Sequence, residues 1–288
     1  MTSWRLARIG SCALWLVAAT SACKSENARL SQNPSGPSAL APTPPALAAS
    51  SLLSRARDEV HQDVRFLVNF RGGADETAPL VIGIHGRGST PENFSRIFQD
   101  VSQRVQIAMP QAFMRYGDGF SWFQLTRSQS DAEFAAALDT AEQKLWAAIS
   151  EVARGRRVFV TGFSQGGMLS YVLAARHPRE IAYAFPISGG APRALLPRAR
   201  AASAPIYALH GASDELIEVA FARSTVAAFK DEGATAELRE FAGVGHNVTP
   251  EMREDLLSRL RSAIESERAP AAPLGSAVRD VASGAELE

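Results

Sequence analysis

Cysteine is nearly missing. In 288 residues there are only Cys12 and Cys23. Cys12 falls in a segment expected to be removed, which leaves no pair for an internal disulfide and no thiolate set for zinc. Charge of one sign is missing too: 30 Lys and Arg balance 30 Asp and Glu. With no basic stripe, nucleic-acid binding is not expected. No H-E-x-x-H and no Cys/His cluster occurs, so no catalytic metal is expected, and no cofactor is implied. Gly83, Gly86 and Gly88 do follow an apolar run, but a dinucleotide loop needs G-x-G-x-x-G and an acidic residue about 20 positions on. The spacing here is reversed, and the next apolar run ends in Met109-Pro110. There is no internal repeat. What remains is ordinary globular material, 46% apolar and 21% charged. The length suits one substantial domain with appendages.

The N-terminus reads as an export signal. Arg5 and Arg8 form a positive start, and Ile9 to Ala19 an apolar stretch too short to span a bilayer comfortably. Thr20-Ser21-Ala22 then lead into Cys23, which resembles the lipobox of a bacterial lipoprotein with Cys23 as the lipidated residue. Thr20 stands where such boxes usually carry leucine, and a plain signal-peptidase cut after Ala22 is the other reading. The expected organisation is signal peptide 1–23, Pro/Ser/Ala-rich linker 24–51, folded domain 52–267 and disordered tail 268–288. The expected location is an exported protein held at a membrane through Cys23, facing the periplasm or cell surface, or otherwise periplasmic or secreted.

The most informative stretch is Arg157 to Ala175. Val158, Phe159 and Val160 read as a buried strand. Gly162-Phe163-Ser164-Gln165-Gly166-Gly167 then turn into a helical pattern carrying Met168, Leu169, Val172 and Leu173 on one face. Strand, G-x-S-x-G and helix in that order form a nucleophile elbow. A serine at the tip of so sharp a turn has a strained backbone, and its neighbours crowd together, so Gly162 and Gly166 are needed. The helix beginning below Ser164 offers unpaired N–H groups to a developing oxyanion. Two glycines and a serine alone would arise by chance in roughly one chain of this length in ten, at about 7% usage each. The context carries the inference.

Around the elbow, strand and helix signals alternate. Val64–Phe70 reads as an alternating edge strand, and Pro79–Ile84 as a strand buried on both faces. Thr90-Pro91 opens a helix through Phe94, Ile97, Phe98 and Val101. Val105–Met109 is a strand, and 110–129 a long irregular stretch. Ser130-Asp131-Ala132-Glu133 is a capping box that starts a helix reaching Val152. Further strands follow at Ile181–Ile187, Ala204–Leu209 and Ala236–Phe241. Helices follow at about Ile217–Lys230 and from Thr249-Pro250 to Ile264. The pattern implies a mostly parallel sheet with helices on both faces and chemistry at the carboxyl ends of the strands.

A serine nucleophile needs a base, and the base needs a carboxylate, in the order Ser, Asp or Glu, His on this kind of sheet. Of five histidines, His61 precedes the sheet and His85 precedes the elbow. His177 reads as a solvated helix cap, and His210 as a turn stabiliser. His246 alone lies late, in Gly-Val-Gly-His after the last strand, and is the expected base. Asp214 is the expected carboxylate, with Glu215 and Glu218 as rivals. Backbone N–H groups of Gln165 and Arg87 are the expected oxyanion donors. The Arg87 side chain meets either an acidic substrate group or water.

These motifs together resemble a known family. Gly-Phe-Ser-Gln-Gly-Gly at 162–167, His-Gly-x-Gly at 85–88, His-Gly-x-x-Asp at 210–214 and Gly-x-Gly-His at 243–246 are similar to those of the phospholipase/carboxylesterase family of α/β-hydrolases, which includes acyl-protein thioesterases. The resemblance spans about Pro79 to Ile264. It implies a single α/β-hydrolase domain, a Ser164–Asp214–His246 triad, oxyanion positions at Arg87 and Gln165, and a pocket-side tryptophan at Trp122. The implied partner is a small-molecule ester of short to medium acyl chain. Ser89, Gln124 and Phe113 depart from the family's usual Asp, Asp and Pro, and border the acyl pocket. Polyester depolymerase-like or feruloyl-type esterases are the alternative substrate class. A surface-anchored binding module on a degenerate hydrolase fold is the non-enzyme alternative.

Overall fold

Continuous apolar runs become the middle of the sheet, because a strand covered on both faces has no polar side to show. The computed structural model describes residues 55–126, 128–197 and 203–268. Cys23, the expected signal segment, the linker and the tail beyond Arg268 lie outside the described residues. In chain order the elements are β1 (Arg55–His61), β2 (Val64–Arg71), β3 (Leu80–Ile84), α1 (Pro91–Ser95), β4 (Val105–Pro110), β5 (Met114–Tyr116) and β6 (Gly119–Ser121). There follow α2 (Asp131–Ala153), β7 (Val158–Phe163), α3 (Gln165–Arg176), β8 (Ile181–Ile187), β9 (Ile206–Gly211), α4 (Val219–Asp231), β10 (Ala236–Phe241) and α5 (Pro250–Arg268).

The main sheet has eight strands in the order β1-β2-β4-β3-β7-β8-β9-β10. The β1–β2 and β2–β4 pairs are antiparallel, and the others are parallel. Alternate side chains of the central strands enter opposite cores. Leu80, Ile82, Ile84, Val158 and Val160 meet Leu138 and Leu145 of α2, Leu169 and Val172 of α3, and Val226 and Phe229 of α4. Val81, Ile107, Met109, Phe159 and Phe185 meet Phe94 of α1 and Met252, Leu256 and Ile264 of α5 on the other face. Full burial of one such side chain contributes roughly 1.5–3 kcal/mol. This is the α/β-hydrolase fold, mostly parallel and covered on both faces.

Several sequence expectations need correction. Val64–Arg71 is not the edge strand, because β1 covers it. The sequence RARDEVH of β1 carries no apolar run. It is held instead by a two-residue turn at Gln62 and Asp63, both at positive φ, and by ion pairs that leave the strand, such as Arg57–Glu76 and Arg65–Asp58. The helix opened by Thr90-Pro91 ends at Ser95 and continues only as a 3₁₀ turn, Arg96–Phe98. The irregular stretch contains the β5–β6 hairpin, with pairing from Met114–Ser121 to Tyr116–Gly119. The capping box at Ser130 is formed from both sides. His177 does close α3, but its ring stacks on Trp146 at 3.7 Å and its Nε2 lies 2.7 Å from Glu142 Oε1, so it is not a solvated cap.

Candidate active site

The sheet delivers three loops to one point. The first is the elbow between β7 and α3. Ser164 has φ 58° and ψ −115°, a left-handed conformation that a side chain adopts only when its surroundings enforce it. Here the surroundings are backbone. A Cβ on Gly162 would stand 2.5 Å from the Gly166 carbonyl carbon, and one on Gly166 would stand 2.7 Å from the carbonyl carbon of Ile84. Both glycines are therefore required sterically, as the sequence implied. Ser164 N–H is tied to Ile187 O at 2.9 Å, which anchors the elbow to β8.

The second loop follows β9. Asp214 is buried, with Oδ1 accepting the backbone N–H groups of Leu216 (3.0 Å) and Ile217 (2.9 Å). Its Oδ2 lies 2.7 Å from His246 Nδ1 and 3.5 Å from His210 Nε2. Burial pushes this carboxyl upward. The hydrogen bonds from His210, His246 and the Ile217 amide, with the charge an imidazolium at His246 would carry, outweigh that effect and hold it well below the usual carboxylate range. An ionised carboxylate can only accept, so Nδ1 of His246 carries the proton. His210 is buried beside it with Nε2 2.7 Å from Ile217 O, so it donates there and pins the 214–217 turn. That is the turn-stabilising part expected of it.

The third loop follows β10 and carries His246. Its Nε2, left unprotonated by the tautomer, lies 2.9 Å from Ser164 Oγ. The Phe163 ring sits 4.8 Å from the imidazole and limits its movement. Ser164, His246 and Asp214 are thus brought into one hydrogen-bonded line. The rivals Glu215 and Glu218 are exposed and make no hydrogen bond to His246 among the described residues.

The loop after β3 closes the site from the other side. A Cβ on Gly86 would stand 3.3 Å from Ser164 Cβ, so this loop runs directly against the elbow. Among the described residues, neither Arg87 N–H nor Gln165 N–H forms a hydrogen bond within the chain. The Arg87 guanidinium donates to Leu125 O at 3.2 Å and lies over the Tyr116 ring.

Two residues form bonds that the sequence did not indicate. Trp122, given a pocket side by resemblance, is 2% exposed; its Nε1–H donates to His85 O at 2.7 Å, and it packs edge-on against Phe113. The Gln165 side chain, to which the sequence assigned no part, is buried and bonded to the 121–123 segment. The glutamine in the elbow motif was the available signal. His85 is also fully buried. Ala112 N–H donates to its Nε2 (3.2 Å), so its proton is on Nδ1, which reaches Gly86 O at 2.7 Å. Burial lowers its pKa to about 4.

A cavity of about 720 Å³ opens beside the elbow, between the N-terminal ends of α2 and α4. Phe134, Met168, Leu196, Ile217 and Phe221 give it an apolar lining. Ser164 and Trp122 are not part of its wall, but Ile217 is, and the Ile217 amide holds Asp214.

Fold and site define a carboxylic ester hydrolase of the α/β class. Residues 70–264 match the family model described as Phospholipase/Carboxylesterase, and the chain belongs to that family. Among curated relatives, acyl-protein thioesterase 1 of Mycosarcoma maydis is 25% identical over 234 residues, which cover 70% of this chain and 97% of that protein. The carboxylesterase SOBER1 of Arabidopsis thaliana is 26% identical over 105 residues, 35% of this chain and 46% of that one. Among solved structures, esterase PE8 superposes with a TM-score of 0.61 at 22% identity, covering 68% of this chain and 97% of its own. The structure of SOBER1 gives 0.54 at 21% identity, with 65% and 99% covered.

Proposed function

We propose that this protein is a serine esterase that hydrolyses carboxylic esters of short to medium acyl chain through an acyl-enzyme. The observation that carries the reading is the continuous line from Asp214 Oδ2 to His246 (2.7 Å) and from His246 to Ser164 Oγ (2.9 Å) at a strained elbow. In the first half-reaction Ser164 Oγ bonds to the ester carbonyl carbon while its proton passes to His246 Nε2. Asp214 keeps the imidazole in the right tautomer and offsets the imidazolium charge, without taking the proton. The carbonyl electron pair moves onto oxygen, which the N–H groups of Arg87 and Gln165 receive. Collapse expels the alcohol, which takes the proton from His246. Water then repeats the sequence on the acyl-enzyme, releasing the acid and restoring Ser164.

The cavity supports the acyl-chain assignment, since Met168, one turn after Ser164, is in its wall, it has room for several methylenes, and Phe134, Leu196, Ile217 and Phe221 give it an apolar side, with Asp131, Arg193 and Glu218 also in its lining. A second reading has its own observation: Phe134 and Phe221 both line the cavity with ring centroids 6.5 Å apart. Aromatic rings so spaced favour an aromatic acyl group of the feruloyl or polyester kind. A panel of p-nitrophenyl acetate, butyrate, octanoate and ferulate esters separates the two by kcat/KM. A fluorophosphonate probe tests the chemistry itself: it should label the wild type and not Ser164→Ala. Absence of labelling in both would favour the binding-module reading.

The lipobox-like Thr20-Ser21-Ala22-Cys23 is the support for an exported, membrane-anchored enzyme. Acylation contributes about 0.8 kcal/mol per buried methylene, so two or more chains would hold it firmly. Mass spectrometry of the mature N-terminus tests this; an unmodified Cys23 or Lys24 terminus in the soluble fraction would remove the anchor.

A further inference from the structure

The two proposed oxyanion donors lie on separate loops. Their strands pair only as far as Ile84 with Gly162, so the ladder ends before Arg87 and before Gln165. Direct contact of Gly86 with Ser164 and of Gly166 with Ile84 limits how close the loops come, but among the described residues no hydrogen bond joins 85–88 directly to 163–166. The 111–123 segment is bonded to both sides. Gln165 Oε1 accepts Trp122 N–H at 3.0 Å and lies 3.1 Å from Ser121 Oγ, while Gln165 Nε2 donates to Phe123 O at 2.9 Å. From the same tryptophan, Nε1–H donates to His85 O at 2.7 Å. Ala112 N–H reaches His85 Nε2, Gly88 N–H reaches Phe120 O (2.8 Å), and Phe120 N–H reaches Ser89 O (3.0 Å).

We propose that Trp122, with the Gln165 side chain, is a positioning residue that sets the separation and aim of the Arg87 and Gln165 N–H groups. The proposal rests on the serine-esterase reading above. Trp122 joins the two loops in one residue, backbone to the elbow glutamine and indole to the loop behind Arg87. Trp122, Gln165 and His85 are 2%, 1% and 0% exposed, so these bonds are shielded from water and hold their geometry. Packing alone would be served by an apolar side chain at 165. The amide is instead bonded on both its oxygen and its nitrogen, which packing does not require and orientation does. Oxyanion donors act only within about 2.7–3.1 Å of the developing charge, and loss of one donor costs roughly 10²–10³ in kcat. Small shifts of either loop therefore register in the transition state more than in substrate binding. Trp122 is not part of the cavity wall, so its effect should spare KM.

The test uses the full-length enzyme and two variants. Trp122→Phe removes the Nε1–H and keeps a large ring. Gln165→Met removes the amide and leaves the backbone N–H. On p-nitrophenyl butyrate, each should lower kcat about ten- to a hundredfold with KM within about threefold, since a donor displaced rather than lost forfeits part of that factor. The double variant should be little worse than the poorer single one, because both changes disable one device. The ratio of oxo-ester to thionoester turnover should fall along with kcat, because sulfur accepts hydrogen bonds weakly and the preference for oxygen reports the donors. A general loss of folded enzyme would not move that ratio. Wild-type kcat in both variants, or a loss confined to KM, overturns the proposal. If Trp122→Phe does not fold, Gln165→Met decides by the same two readouts. A wild type that resists the fluorophosphonate probe removes the esterase reading itself, and this proposal with it.

Discussion

Gly211 and Gly245 approach so closely that a Cβ on Gly211 would stand 2.5 Å from the Gly245 carbonyl oxygen. This contact brings the Asp214 loop against the His246 loop, and Ser213 N–H to Val244 O (2.9 Å) ties them together. Gly211→Ala should therefore push the two loops apart. We expect kcat to fall more than tenfold, because a displacement of about 1 Å can cost 10²-fold. Urea unfolding should show a loss of about 1–3 kcal/mol, as for overpacking elsewhere. Unchanged kcat would mean that the loops can part without disturbing the His246–Asp214 bond.

The carboxylates near His246 are not equivalent. Asp214 is buried and receives backbone N–H groups on one oxygen and His246 on the other, whereas Glu215 and Glu218 are exposed. Asp214→Asn presents an amide that favours the wrong imidazole tautomer, and kcat should fall by about 10³–10⁴. Glu215→Gln and Glu218→Gln should stay within about twofold, as surface changes do. Equal losses in all three would move the orienting part elsewhere.

The residues brought together at the candidate site were legible because each sits on a steric or topological rule. Gly162 and Gly166 are dictated by the elbow, and the chain order of Ser164, Asp214 and His246 follows from the order of parallel strands. Strand Ile181–Ile187 was plain because it is buried on both faces. β1 was not, since RARDEVH has neither apolar alternation nor a turn glycine, and its charges Arg57 and Asp58 find their partners Glu76 and Arg65 only once folded. The β5–β6 hairpin is three residues a side and is held by the loop at Ser89, a contact across the chain that no local pattern reveals. The hydrogen bond of Trp122 to His85 O was not legible for a related reason. Composition says that an indole will be buried, but only tertiary structure says what its N–H reaches.

If the cavity beside the elbow takes the acyl group, its volume should set chain length. Ala135 lies in its wall on α2, where a larger side chain points into space rather than into the core. Ala135→Trp should leave kcat/KM for p-nitrophenyl acetate within about threefold. For the octanoate it should fall at least tenfold, since each methylene kept out of an apolar site forfeits about 0.8 kcal/mol. A uniform effect on all chain lengths would place the acyl group outside this cavity.

Acid should weaken the fold through His85 before it protonates Asp214. His85 is buried and neutral with its pKa lowered to about 4, whereas an unfolded histidine titrates near 6.5. Between those values the unfolded chain binds a proton that the native one refuses, so stability falls as pH drops from about 6.5 to 4. The full difference approaches about 3 kcal/mol for this one group. Burial is the cause, and the Ala112 N–H donated to Nε2 fits the neutral ring, since a protonated one would face that donor with another. Asp214 has the opposite chemistry but the same sign. Its depressed pKa gives stability that is present above about pH 4 and is lost at still lower pH, as the folded-state carboxylate takes up its proton. Urea titrations of wild type and His85→Gln at pH 7, 6, 5 and 4 isolate the histidine, because the other titrating groups are common to both. The wild type should be the more stable at pH 7, and its advantage should shrink steadily toward pH 4. Parallel curves would mean that His85 accepts its proton in the folded state without cost.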